Sequence, residues 1–110
     1  MLELEEALQN LLSVLKEQEC CQKYQEALQE LKEDKELFAK FNEFRKKNIE
    51  LHIKKNTLKE QTALRNEYEG LLLKEPVNHF LYWEQKTTEL FRSVFESIAD
   101  DMEFDYSFLD

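Results

Sequence analysis

Two histidines, two adjacent cysteines and 24 carboxylates are the side chains through which this chain could do chemistry. His52 and His79 titrate naturally near neutrality, but no Ser or Cys forms a recognisable nucleophile motif beside either of them. Cys20 and Cys21 are neighbours. Consecutive Cα atoms lie about 3.8 Å apart, and a disulfide prefers more than about 4.4 Å, so a bridge between them is strained and free thiols are expected. Free thiols fit a reducing compartment. As metal ligands the two diverge by about 100° around a helix, with no CxxC or HxxxH pair beside them, so small packing residues are the plainer reading. Glu84 lies between Leu81 and Thr88 near an apolar stripe, where a partly buried hydrogen-bonding role is expected in preference to that of a general base. One glycine leaves no material for a phosphate-cradling loop. The residues thus point away from an enzyme, and no catalytic, cofactor or metal site is expected.

Any positioning of these groups falls to helices. Gly70 and Pro76 are the single glycine and single proline in 110 residues, and 35% of the chain is charged. Sheet proteins draw on turn residues that this chain lacks, whereas Glu, Lys, Gln and Leu are good helix formers. The expected fold is all-α, an antiparallel array of four to five helices forming one domain over 1–102, with a tail at 103–110. The array holds thirteen aromatics, eight of them Phe. So slender a core cannot shelter them all, and a homodimer or protein partner is expected to cover the remainder.

Leu4, Leu8, Leu11, Leu12 and Leu15 mark one face of a first helix. Continuing that phase lands on Gln18, Glu19 and Gln22, so a bend or interruption is expected around Glu17 to Cys21, after which Cys21, Tyr24, Leu28 and Leu31 open a new phase. Asp34 is placed to cap a third helix carrying Leu37, Phe38, Phe41, Phe44 and Leu51, which fades near Lys55 and Asn56. Thr57 and Glu60 have capping-box spacing, and the helix they start includes Leu64, Tyr68, Leu71 and Leu72 with Gly70 inside it. Pro76 is a start signal for a final helix with Val77, Phe80, Leu81, Phe91, Val94, Phe95, Ile98 and Met102 on its stripe. If Phe91 is buried there, Phe91→Ala costs about 3–5 kcal/mol.

Charge is unevenly spread beneath a net −9: residues 1–34 hold 3 basic and 9 acidic side chains, 35–59 hold 8 and 3, and 60–110 hold 4 and 12. Arg45, Lys46, Lys47, Lys54, Lys55 and Lys59 form a candidate contact for RNA phosphates or another anion. The alternative is intramolecular: acidic first and last helices flank a basic hairpin and steer antiparallel neighbours. The aromatics of the segment fall on its apolar stripe, not among the lysines, which weakens base stacking. In the tail, Phe104, Tyr106, Phe108 and Leu109 alternate with acids and are candidate partner-binding residues; such an end also frays or folds back on its own core. The N-terminal residues are acidic where a secretory signal is basic, and the longest apolar run is Phe80–Trp83, so a cytoplasmic protein that crosses no membrane is expected.

Tyr24, the run Asp34-Lys35-Glu36-Leu37 with Phe44 ten residues after the Asp, Leu71-Leu72, and Pro76-Val77-Asn78-His79-Phe80-Leu81 followed by Glu84, Leu90, Val94 and Ile98 together resemble the YlbF/YmcA family of small bacterial helical proteins. The likeness runs from about Leu4 to Ile98 and is nearer the shorter, YheA-like members. Lys35 and Glu75 replace the Pro and Asn frequent in the family, and Trp83 stands where a small residue is common. Some relatives carry C-terminal cysteines associated with an iron–sulfur cluster. This chain has no cysteine after Cys21, so the resemblance carries no cluster over. It implies an all-helical, non-catalytic cytosolic regulator acting through association with itself or other proteins. Relatives are linked to competence, sporulation and biofilm control in Gram-positive bacteria, in some cases through complexes that influence an RNA-processing endonuclease.

Overall fold

The computed structural model describes residues 1–54, 57–105 and 107–109. Its helices are α1 (Leu2–Glu17), α2 (Glu19–Glu33), α3 (Lys35–Ile53), α4 (Leu58–Glu67), α5 (Glu69–Leu72) and α6 (Glu75–Asp101), and a 3₁₀ turn follows at Ser107–Leu109. Among the described residues there is no strand.

The boundaries follow from local chemistry. Between α1 and α2, Gln18 adopts φ −66°, ψ 141°, breaking the helix where the leucine stripe of α1 runs into polar residues. The Asp34 carboxylate accepts the Leu37 amide at 3.1 Å and starts α3, and the Thr57 hydroxyl accepts the Glu60 amide at 3.3 Å and starts α4. Pro76 occupies the first turn of α6, where an amide donor is not needed.

One boundary differs from the sequence expectation. The helix beginning at Leu58 does not run through to Leu72 but breaks at Tyr68, φ −105° and ψ 15°. The Tyr68 ring sits 5.4 Å from that of Phe44 and its hydroxyl accepts a 2.8 Å bond from Lys47 Nζ, so α3 holds this residue while Gly70 weakens the helix just beyond. Among the described residues six α-helices result, one of them a single turn.

The core lies where α2, α3 and α6 meet. Ala27 and Leu31, then Leu37, Phe41 and Phe44, then Val77 and Phe80 are buried, with Leu64 closing one side. Phe41 meets Phe80 edge to face at 5.6 Å, and Tyr24 lies 5.2 Å from Phe80. The pairs Cys20–Thr87, Tyr24–Phe80 and Glu30–His79 run in opposite directions along the two chains, which makes α2 and α6 antiparallel.

Two apolar stripes fall outside that core. No residue of α1 is buried; Leu4 is 65% and Leu8 50% exposed. On the second half of α6, Phe91 and Ile98 are each 51% exposed, so the condition under which Phe91→Ala would cost 3–5 kcal/mol is not met in this chain by itself. The radius of gyration is 17.4 Å against about 13 Å for an ordinary domain of this length. The chain exposes 8951 Å², whereas a folded monomer of 13.3 kDa exposes about 6,500 Å².

Candidate interaction surface

The exposed stripes converge on a groove of about 890 Å³. Leu12 and Leu15 wall it from α1, Cys21 and Tyr24 from α2, Thr87 and Phe91 from α6. It forms because α1 turns away at Gln18, so its leucines lie beside the α2–α6 pair without closing onto it. Thr87, buried and polar, is satisfied at the floor by donating 3.0 Å to the Cys20 carbonyl. Burial pushes the Cys21 thiol pKa up, and the neighbouring Cys20 adds to the shift. The groove thus offers aliphatic and aromatic surface with two carboxylates, Glu26 and Glu84, and the Lys16 ammonium in its wall.

Glu84 is half-buried and its carboxylate lies 4.0 Å from Arg45, an inter-helix charge contact. Arg45 is also engaged with Asn42, and its guanidinium carbon sits 4.7 Å above the Phe41 ring and 5.5 Å from that of Phe80. Lys47 is held by the Tyr68 hydroxyl and, at 3.3 Å, by Glu43; these two partners, Tyr68 first, raise its pKa. Of the candidate anion contacts, Arg45 and Lys47 therefore point into intramolecular arrangements, while Lys46, Lys54 and Lys59 are exposed. Lys55 lies outside the described residues.

Of the tail, Ser107–Leu109 form a short 3₁₀ turn. Phe104 and Phe108 are exposed, Leu109 belongs to the 3₁₀ turn, and Tyr106 lies outside the described residues. The Asp105 carboxylate accepts from the Ser107 hydroxyl at 2.7 Å and the Ser107 amide at 3.1 Å, which lowers its pKa.

The two histidines sit on different helices. His52 is exposed on the last turn of α3. His79 Nε2 accepts from the Trp83 indole at 3.0 Å, leaving Nδ1 as the protonated nitrogen of the neutral ring, 3.6 Å from the Glu30 carboxylate. Among the described residues no group of three or more His, Cys, Asp or Glu could hold a metal ion. Nor is any helix long and apolar enough to cross a membrane.

The family model described as control of competence regulator ComK, YlbF/YmcA, matches residues 4–103. The chain belongs to that family. A search of curated proteins and of solved structures found no match. The residues carrying the YlbF/YmcA likeness have structural work in this fold: Asp34 caps α3, Pro76 opens α6, and Phe44, Val77 and Phe80 are core. Ile98, also within the matched residues, remains on the exposed stripe.

The sequence alone did not single out Thr87, and it placed Arg45 among candidate anion contacts and Tyr68 on an apolar helix face, so the roles all three have here were missed. Thr87 follows Phe80 by seven residues, two turns along the same face, and Arg45 follows Phe41 by four, so both spacings were readable signals. Tyr68 carried no such signal, because its role depends on α3.

Proposed function

We propose that this YlbF/YmcA-family chain is a non-catalytic cytoplasmic regulator that works by protein–protein association, including association with itself as a homodimer. The observation that carries this reading is the pair of apolar stripes on α1 and α6 that border an open groove. Large exposed apolar faces on a folded chain mark surfaces that meet another macromolecule. The family description, control of competence regulator ComK, supports a regulatory role; competence, and the sporulation and biofilm formation to which the resemblance links its relatives, are the processes in which it would act.

RNA binding by the basic segment is the competing reading, and it is weakened by Arg45 and Lys47 being drawn into contacts with Phe41, Phe80, Tyr68 and Glu43. Sedimentation equilibrium over a wide concentration range tests the proposal. A reversible rise above 13.3 kDa is expected; a strict monomer would remove self-association. An RNA mobility shift at low salt, lost in Lys46→Glu/Lys54→Glu/Lys59→Glu, would favour the competing reading.

A further inference from the structure

Each copy of the chain carries two exposed apolar helix faces of matched length. α1 has 16 residues, about 24 Å of helix, with Leu4, Leu8, Leu11 and Leu12 exposed along one side. The segment of α6 from Thr87 to Asp101 has nearly the same span and presents Phe91 and Ile98. Within one chain the two faces do not close on each other, because α1 leaves the bundle at Gln18 and Leu4 and Leu8 stay at least half exposed.

We infer that a second copy of this chain is the occupant: α1 of one copy lies along the Thr87–Asp101 face of α6 of the other, and the exchange is reciprocal about a two-fold axis. This rests on the association reading above and adds to it the residues and the partner.

Three observations support the assignment. A two-fold interface must be self-complementary, and a chain displaying both a leucine face and a phenylalanine–isoleucine face of equal length satisfies that condition with both faces used. The surplus surface, about 2,500 Å² per chain over an ordinary monomer, matches the upper range of what each protomer contributes to an obligate homodimer, about 1,000–2,500 Å². Charge also allows it in one direction: Glu3, Glu5 and Glu6 at the start of α1 suit Lys86 and Arg92, while Lys16 at its end suits Asp101 and Glu103. The arm therefore lies parallel to the helix it covers.

The test mixes single-cysteine proteins, each on a Cys20→Ser/Cys21→Ser background, so that any disulfide formed must join two copies. Leu8→Cys mixed with Phe91→Cys or Ile98→Cys should cross-link under mild oxidation, and Ser13→Cys, on the polar side of α1, should not. In parallel, Leu4→Ser/Leu8→Ser should raise the dimer dissociation constant at least 100-fold with helical content unchanged by circular dichroism, because Leu4 and Leu8 are at least half exposed within the chain. A dimer in which Leu8→Cys joins neither α6 position would overturn the arm exchange while leaving association intact. A monomer at every concentration would overturn both.

Discussion

The Thr87 hydroxyl donates 3.0 Å to the Cys20 carbonyl oxygen, tying the first turn of α2 to the middle of α6 across 67 residues of chain. A helical carbonyl keeps a second lone pair after its own helix bond, and Thr87 uses it. Thr87→Val keeps the shape and removes only the donor. We expect a loss of about 1 kcal/mol in urea denaturation, and a greater loss for Thr87→Ala, which also opens space at the groove floor. An unchanged midpoint for Thr87→Val would mean that the bond contributes nothing.

Arg45 is expected to behave as a packing residue. Its guanidinium lies over Phe41 and near Phe80, at the aromatic centre of the core, and an arginine so placed lays its stem along apolar surface. Arg45→Ala should lower stability by about 1–2 kcal/mol, the sum of cation–π and stem contributions. Lys46→Ala, one residue along and exposed, should stay within about 0.5 kcal/mol. Thermal denaturation of both proteins in the same buffer checks the contrast.

Much of the architecture was legible because helix starts are local events. Asp34, Thr57 and Pro76 act within one turn of themselves, and the failing stripe at Gln18 is a property of consecutive residues. The break at Tyr68 was not legible, since it depends on Phe44 and Lys47 reaching it from α3. The same limit governs the candidate surface. Periodicity shows that Leu4, Leu8, Phe91 and Ile98 form faces, but only the path of the chain after Gln18 shows that those faces remain uncovered. Counting lysines likewise gave a basic segment without revealing that Arg45 and Lys47 are taken up internally.

Gly70 offers a gain in stability. It lies in α5 at a negative φ, and a Cβ added there would meet nothing within 4 Å. Gly70→Ala should therefore stabilise the protein by about 0.5–1 kcal/mol, through lower entropy of the unfolded chain and better helix propensity. A midpoint that rises in urea with an unchanged slope is the expected signature. A fall would show that the bend at Tyr68 relies on the glycine.

The Cys21 thiol should be slow to react. Burial, then Cys20, raises its pKa in the folded chain, so the fold holds the proton more tightly than the unfolded chain does. For an acid shifted upward the sign is fixed: the folded state loses stability as pH climbs past the ordinary thiol value of about 8.5. Iodoacetamide labelling at pH 8, read by mass spectrometry, should modify Cys21 more slowly in native protein than in urea. Equal rates would contradict the shift.

Glu103 closes α6 in a conformation that its side chain disfavours. Its φ is 54°, and the Phe104 amide bonds the Ala99 carbonyl at 2.8 Å while the Glu103 amide bonds that of Asp100 at 3.2 Å. This pair of bonds is the Schellman arrangement, whose left-handed position is usually filled by glycine. An L-residue there costs about 1–2 kcal/mol, and a carboxylate beside Asp100 and Asp101 adds negative charge at the negative end of the helix dipole. Glycine gives back part of the gain through its more mobile unfolded state. Glu103→Gly should on balance raise stability by about 0.5–1 kcal/mol and keep Phe104 where it is. Glu103→Val, whose β-branch tolerates positive φ poorly, should melt the turn and speed amide exchange at Phe104. If both substitutions left the Phe104 amide equally protected, the turn would not depend on the backbone angle at residue 103.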